Sequence, residues 1–217
     1  MKNKEDRKFL LSSLLGLIPL FIGLVFYNSL PDTLPTHFNF AGEPDDYSSK
    51  IFAVIGLPIF MMAMDLFVKF ILIKDPKEKG HSKKLKIFFS FFIPILTLVI
   101  VCITIAIGLG KNINPTKLIT ILISITFIVI GNYIPKCKQN YTMGVKTPWT
   151  LADEEIWTKT HRLAGPIFVI GGIILLLSSM FTPLDTLQSA IFFGVFIAII
   201  CVPSIYSYLL FKKKNES

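Results

Sequence analysis

Residues 87–109 read IFFSFFIPILTLVIVCITIAIGL and contain no charged side chain. A helix of about 20 residues rises roughly 30 Å, which is the thickness of the hydrocarbon core of a membrane. A backbone in lipid must satisfy its own hydrogen bonds, and this stretch lacks the short alternating pattern of an outer-membrane barrel strand. It therefore predicts a membrane-spanning α-helix, although Phe- and Ile-rich runs would favour strands in water.

Five further apolar runs of similar length accompany this one. The 217-residue chain is 53% hydrophobic and only 17% charged, whereas soluble domains carry about 25% charged residues. A chain of this length cannot bury six such helices in a soluble core, so the composition argues against a soluble enzyme. We predict an all-α integral membrane protein that forms a single membrane domain with six transmembrane helices. The predicted spans are residues 9–30, 51–73, 87–109, 118–135, 163–183 and 189–211.

Lysine and arginine are distributed unevenly over the segments that connect these spans. The N-terminus, the second and fourth loops and the tail together carry 18 of them, and the other side carries three. The positive-inside rule then places both termini in the cytoplasm and loop 31–50 outside the cell. The net charge of +8 is explained by this topology and by anionic lipid, without nucleic acid. The three cysteines include no external pair, so no disulfide is expected.

Polar side chains are rare inside the predicted spans. Asp65 and Lys69 are four residues apart and share a helix face. They lie near the cytoplasmic end of the second span, which favours a lysine that snorkels to the surface beside its paired carboxylate. A proton or ion relay is the alternative. Asn132 in the fourth span is expected to cap its helix or to bond a neighbouring one.

Loop 31–50 is acidic and is predicted to be ordered. Its net charge is −3, which would attract a cationic peptide. Residues 36–40 alternate between polar and apolar types, as in an extended segment, and residues 41–44 (Ala-Gly-Glu-Pro) predict a turn. Ser48 or Ser49 can cap the second span. A metal site at the single histidine of this loop is conceivable, but a polar turn is favoured because no second His or Cys accompanies it.

Loop 136–162 contains both tryptophans of the chain, Trp149 and Trp157. Residues 150–153 (Thr-Leu-Ala-Asp) fit a capping box, and residues 153–155 place acids in the first turn that follows. We therefore predict an interfacial helix on the cytoplasmic leaflet before the fifth span, with both indoles at headgroup depth. This interpretation leaves the run Gly-Val-Lys-Thr-Pro-Trp-Thr at residues 144–150 unexplained.

Two segments of the chain resemble a known family. The stretch from Gly131 to Gly165, centred on the run at residues 144–150, resembles the SdpI family. Loop 31–50, with its His-Phe-Asn at 37–39 and Pro-Asp at 44–45, resembles the N-terminal domain of unknown function associated with that family. Both occur in the expected order. Two positions depart from the pattern: Lys146, where the family often has Arg, and Tyr47, where it often has Trp.

This resemblance implies a six-span protein of the bacterial plasma membrane with immunity and signalling roles. The founding member of the family protects its producer from a secreted antimicrobial peptide toxin. It also signals by binding a cytosolic ArsR-type autorepressor at the membrane. The implied partners are therefore membrane lipid, a secreted peptide toxin and an ArsR-type repressor, with no direct contact to nucleic acid.

The two informative loops supply the candidate binding residues, and we expect a toxin to contact the outer loop and the output to lie on the cytoplasmic one. The toxin candidates are Asp32, His37, Asn39, Gly42, Asp45 and Asp46. The output candidates are Lys138, Asn140, Gly144, Lys146, Thr147, Pro148, Trp149, Thr150, Glu155, Trp157, His161 and Arg162.

Two other functions stay open. A small transporter or lipid-interacting protein would use Asp65, Lys69 and Asn132 in a path shaped by proline-kinked spans. An intramembrane hydrolase would use Glu154 and Glu155, which begin a sequence close to the Glu-Glu-x-x-x-Arg motif of CAAX-type proteases. That motif is incomplete because a lysine replaces the arginine and all three histidines lie in loops. Immunity ranks first, and no enzymatic activity, metal or other cofactor is predicted.

Overall fold

The computed structural model describes residues 4–181 and 186–216. Within these ranges six helices are long and apolar enough to cross a membrane, and their outward apolar side chains, such as Phe21 and Phe181, are largely exposed as lipid-facing groups are. The predicted all-α membrane fold is thus confirmed. The spanning helices are Asp6–Ser29, Phe52–Lys74, Lys83–Gly108, Pro115–Lys136, Glu154–Phe181 and Thr186–Asn215. The predicted end of the fifth span, at residue 183, lies outside the described residues.

The helical elements follow the apolar runs and extend past them at their charged ends. The first span combines α1 (Lys4–Leu11) and α2 (Leu17–Phe26) through a 3-10 turn at Ser12–Gly16. The remaining helices are α3 (Leu57–Lys74, preceded by a π-helical turn at Phe52–Gly56), α4 (Lys83–Gly108), α5 (Pro115–Tyr133), α6 (Pro148–Ala152), α7 (Glu154–Phe181) and α8 (Thr186–Asn215).

The acidic segment between the first two spans forms an antiparallel hairpin. Strand β1 (Thr33–Phe38) pairs with β2 (Pro44–Ser49), beginning with Thr33 opposite Ser49 and with irregular register near His37. The extended segment and the turn predicted for this loop are therefore present. The Ser49 hydroxyl accepts a hydrogen bond from the Phe52 N–H at 3.3 Å, as expected of a cap on the second span.

The chain divides into two compact units. The first comprises the chain up to Ile73 together with Ile87–Leu118, and the second comprises Lys74–Lys86 together with the chain from Ile119 onward.

The core of the first unit holds the hairpin against the helices. Leu34 of β1 is completely buried in a cluster that includes Leu30, Val54 and Val101. A Cβ at Gly108 would overlap the Leu34 side chain and would lie 2.9 Å from Leu30 Cδ2. The absence of a side chain at Gly108 therefore lets β1 seat on α4.

The second unit packs α5 against α7 through small residues. A Cβ at Gly131 would lie 2.7 Å from the carbonyl oxygen of Gly165, and one at Gly172 would lie 2.7 Å from that of Ser124. Close backbone approach at glycines is the usual way in which helices associate in lipid. On its other side α7 packs on α8, where Leu175 is fully buried.

The start of the fifth span differs from the sequence prediction. The capping box is one turn earlier than predicted, because Thr147 is the N-cap of α6 and exchanges side-chain to backbone hydrogen bonds with Thr150. Asp153 then caps α7 by accepting from the N–H groups of Glu155 and Ile156 at 2.8 and 3.0 Å. The acidic turn therefore opens the fifth span itself, and only the one-turn α6 precedes it.

Candidate functional site

The hairpin, residues 33–49, carries most of the predicted toxin-binding residues. His37 Nδ1 lies 2.6 Å from Asp45 Oδ1 across the strands. Asp32 is almost fully exposed and lies 3.3 Å from the Lys50 ammonium, which also donates to the Leu30 carbonyl at 3.1 Å. His37, Asp45 and Asp32 are exposed to solvent, so these contacts fix the arrangement of the side chains more than they add stability.

The turn of the hairpin is built by Asn39 and Gly42. The Asn39 Oδ1 accepts from the Glu43 N–H at 3.0 Å, and the Asn39 carbonyl accepts from the Thr116 hydroxyl at 3.0 Å. Gly42 has φ +85°, and a Cβ there would meet the Asn114 side chain at 2.8 Å. Asn39 and Gly42 therefore shape this surface instead of offering free contact groups.

The exposed face of the hairpin is acidic and aromatic. Asp45, Asp46 and Glu43 are exposed, as are Phe40 and Tyr47. Asp46 Oδ1 accepts from the Tyr47 N–H at 2.8 Å. Across the described residues no cluster of three or more His, Cys, Asp or Glu side chains suits a metal ion.

The intramembrane pair is buried, and the expectation that Lys69 snorkels to the surface is wrong. The Lys69 ammonium has no exposure and donates to Asp65 Oδ2 at 2.6 Å, to the hydroxyls of Ser12 and Ser13 at 2.8 and 3.0 Å, and to the Ser90 carbonyl at 3.2 Å. These partners satisfy the charge from three helical segments. An ammonium with this set of partners gains nothing from reaching for the surface.

In the part of the chain that the structure describes, the space beside this pair is too small for a translocation path. Asp65 Oδ1 is buried without a hydrogen-bond partner among the described residues. The adjoining space between Met62, Pro94 and Thr97 has no room for a water molecule. Asn132 is exposed and donates to the Ile128 carbonyl of its own helix at 2.8 Å. Of the two expected roles, a cap or a bond to a neighbouring helix, the second is not found among the described residues.

Trp157 and His161 form the buried centre of the loop between the fourth and fifth spans. The Trp157 Nε1–H donates to the Cys137 carbonyl at 2.8 Å, and the two rings stack with centroids 4.0 Å apart. His161 Nε2 accepts from the Val145 N–H at 3.0 Å, so the proton sits on Nδ1, which lies 2.8 Å from the Trp157 carbonyl. Trp157 is 1% exposed, so its indole packs inside the protein, whereas the predicted interfacial anchor would contact lipid.

This pair explains the run at residues 144–150. Gly144 has φ +124°, and a Cβ there would collide with His161 Nε2, so the chain can cross the imidazole only as glycine. The Thr147 hydroxyl lies 3.0 Å from that of Ser207 in α8. Trp149 lies against Tyr208 with ring centroids 5.1 Å apart. The loop is therefore a rigid scaffold tied to α7 and α8.

Asp75, which was not among the predicted site residues, joins the second loop to this scaffold. The Asp75 carboxylate is buried, and its Oδ2 accepts from the Tyr141 N–H at 3.0 Å and from the Thr142 hydroxyl at 2.7 Å, with His81 Nε2 at 3.0 Å. Burial raises the pKa of Asp75, but the bonds from Thr142, His81 and two backbone N–H groups outweigh it and hold the pKa below its usual value. The only sequence signal is an aspartate before a proline in a lysine-rich loop, which favours a turn.

The predicted output residues divide into scaffold and surface. Asn140, Thr147, Thr150, Trp157 and His161 are buried, and Asn140 Oδ1 accepts from the N–H groups of Thr142 and Met143. Gly144 and Trp149 are half-buried. The residues left for a partner are Lys138, Lys146, Pro148, Glu155 and Arg162, which are exposed.

The two glutamates of the hydrolase alternative are exposed at the start of α7. Glu155 pairs with Lys159 at 2.7 Å, and Lys214 reaches Asp153 at 2.6 Å. The hydrogen bond from Lys214 and that from the Ile156 N–H lower the pKa of Asp153. The described His161 is turned to Val145 and Trp157, and it is a buried helical residue instead of the loop residue predicted. These contacts are those of a helix start bound to the C-terminal helix.

Two separate segments of the chain match known protein families. Residues 136–207 match the SdpI/YfhL protein family, and residues 14–62 match the domain of unknown function DUF1648. The chain is 27% identical over 211 residues to the protein named "Immunity protein SdpI" of Bacillus subtilis (strain 168), covering 97% of this chain and 99% of that relative. The resemblance drawn from the two loops is thereby confirmed. No solved structure matches the chain.

Proposed function

We propose that this SdpI-like membrane protein is an immunity protein that protects a bacterial cell from a secreted peptide toxin. The observation that carries the proposal is the match to a named immunity protein over nearly the full length of both chains. It includes both the hairpin and the scaffold around Trp157. The role is non-enzymatic, since protection requires binding and not turnover.

The hairpin is the proposed contact for the toxin. In the bacterial plasma membrane, the charge distribution of the loops supports a topology with both termini in the cytoplasm and the hairpin outside. Its exposed carboxylates and its exposed Phe40 and Tyr47 are complementary to a peptide that is both cationic and apolar. The toxin is therefore proposed to bind Asp32, His37, Asp45 and Asp46, on a frame set by Asn39 and Gly42.

The loop between the fourth and fifth spans, which the charge distribution assigns to the cytoplasm, is the proposed output. The exposed Lys138, Lys146 and Arg162 surround a rigid scaffold, which suits a surface that holds a cytosolic ArsR-type repressor at the membrane. For the toxin to change repressor binding, it must bind one state of the protein more tightly than another. Protection and signalling are thus separate consequences of one binding event.

The test is survival of a sensitive bacterium that expresses the full chain and is challenged with cationic secreted peptides. Asp45→Asn combined with Asp46→Asn removes two exposed charges from the hairpin. We expect the tolerated peptide concentration to fall by about two- to tenfold, because each exposed charge contributes up to about 1 kcal/mol.

The matched control is Glu154→Gln combined with Glu216→Gln, which removes two exposed carboxylates from the proposed cytoplasmic side. This variant should protect fully. Equal protection by both variants would contradict hairpin binding, and loss with the control alone would favour the hydrolase alternative. Membrane levels of each variant are compared by immunoblotting.

A further inference from the structure

A lysine-lined cavity in the second unit shares only Lys138 with the output surface proposed above, and the proposed function does not use the cavity itself. Its volume is about 660 Å³. The lining includes four lysines and one glutamate, a formal charge of +3, and no other charged residue. These residues are Lys77, Lys79, Lys136, Lys138 and Glu154.

The cavity lies where two spanning helices end. Lys136 is the last residue of the fourth spanning helix, and Glu154 is the first of the fifth. The apolar run of the fourth span ends at Pro135, which also lines the cavity. Side chains at such helix ends lie at the depth of lipid headgroups. We therefore expect the opening to lie near the depth of the lipid phosphates.

The walls of the cavity are held in place by the backbone. The Lys138 N–H donates to the Gly80 carbonyl at 2.9 Å, and the Gly80 N–H donates to the Lys77 carbonyl at 2.8 Å. A Cβ at Gly80 would lie 2.6 Å from the Gln139 carbonyl oxygen, so the two loops meet without a side chain between them. The Lys77 ammonium is fixed by a hydrogen bond to the Gln139 side chain.

The remaining positive charge is not neutralised by the protein. In the described part of the chain, neither Lys79 nor Lys138 has a salt bridge, and both are exposed. Lys136 lies over the Tyr133 ring at 5.1 Å, which leaves its charge available. Several lysines converging on one space, with a single carboxylate opposing them, suit a compact anion with several acceptor oxygens.

We propose that this cavity binds the phosphoryl group of an anionic lipid headgroup. The depth of the cavity favours lipid over soluble phosphate as the source of that group. The bound headgroup bridges the second loop and the start of α7. The lysines belong to the second loop, to the end of the fourth span and to the residues just after it, whereas Glu154 and Thr158 belong to α7. This site is separate from the hairpin and independent of any toxin.

The test uses the full-length protein reconstituted with equal amounts of phosphatidylglycerol and phosphatidylcholine, with retained lipids counted by native mass spectrometry. The variant Lys79→Gln combined with Lys138→Gln should weaken phosphatidylglycerol retention by roughly tenfold or more, because each lysine near an anionic surface contributes severalfold in affinity. The control is Lys83→Gln combined with Lys84→Gln, two exposed lysines at the start of α4 that do not line the cavity. It should retain the lipid.

A second arm titrates inorganic phosphate into the lipid-free protein in detergent. Phosphate binding that only the cavity variant abolishes, without preference for phosphatidylglycerol, would support the phosphoryl site but assign it to a soluble anion. Equal retention of phosphatidylglycerol by both double variants, with no phosphate binding, would overturn the proposal. We expect unchanged thermal unfolding midpoints in both variants, because all four lysines are exposed. Unchanged midpoints would exclude misfolding.

Discussion

The Asp75 carboxylate joins two loops that are more than 60 residues apart in the chain. Besides the three donors at Oδ2, its Oδ1 accepts from the Lys77 N–H at 2.8 Å. A buried carboxylate with this many donors stabilises the fold only while it is charged. The cost of removing it is therefore a direct measure of how firmly the second loop is held.

We predict that Asp75→Asn lowers the free energy of unfolding by about 2 kcal/mol, because hydrogen bonds to a charged group contribute more than neutral ones. The measurement is unfolding in detergent followed by tryptophan fluorescence. Asp32→Asn, at an almost fully exposed carboxylate, should change stability by less than about 0.5 kcal/mol. A similar loss in both variants would show that Asp75 has no special role.

The same carboxylate predicts how stability depends on pH. The pKa of Asp75 in the folded protein lies below its usual value of 3.8. Its contribution is therefore fully present above that value and is lost as the pH falls through the lower, folded pKa. The difference in stability between the parent protein and Asp75→Asn should shrink in this acidic range and stay constant near neutral pH.

Residue-level prediction from sequence succeeded for local pairs and failed for distant ones. The spacing of Asp65 and Lys69 predicted that they would share a face, and they do, because the helix repeat fixes it. Ser12, Ser13 and Ser90 also bind Lys69, and no pattern along the chain announces partners that only tertiary packing supplies. The same limit explains why Asp75 was missed.

At the scale of elements, glycines decide how closely the spanning helices approach. Gly172 of α7 faces the Ser124 carbonyl of α5, whereas a Cβ at Gly194 of α8 would have no atom of the described chain within 4 Å. Alanine is intrinsically better than glycine inside a helix by up to about 1 kcal/mol. The two positions thus separate packing from helix propensity.

We predict opposite signs for the same substitution at these two glycines. Gly194→Ala should leave stability unchanged or raise it by up to about 1 kcal/mol. Gly172→Ala should lower it by about 1–3 kcal/mol, because the added methyl must push α5 and α7 apart. Thermal unfolding in detergent measures both, and stabilisation by Gly172→Ala would contradict the close contact.

The elements themselves follow from hydropathy, but their ends do not. Apolar runs predicted six spans because lipid leaves the backbone no alternative to helix. The fifth spanning helix begins at Glu154 instead of near residue 163. The Trp157 indole bonds the Cys137 carbonyl, and His161 bonds the Trp157 carbonyl and the Val145 N–H, so these polar groups are satisfied inside the protein. Polar residues lower the local hydropathy and so predict a loop, even where their hydrogen bonds are made inside the protein.

At the scale of the whole molecule, the proposed function depends on the side of the membrane on which each loop lies. We predict that Ala41→Cys in the hairpin reacts with a membrane-impermeant maleimide in intact cells, and that Lys213→Cys in the C-terminal segment reacts only after the cells are opened. The unaltered protein is the control, because Cys137 is buried and the other two cysteines lie in spans. Labelling of both variants in intact cells would place hairpin and tail on one side and contradict toxin sensing outside the cell.

The partners of Lys69 have a consequence for how the protein is made. During synthesis the second span leaves the translocon before α4, which is the third span. The Lys69 ammonium then lacks the Ser90 carbonyl that it contacts in the finished fold. A chain that stalls at this stage would present to the acyl chains an ammonium that lacks one of its hydrogen-bond partners, which is unfavourable. The contacts that stabilise Lys69 in the mature protein are thus incomplete in an unfinished chain.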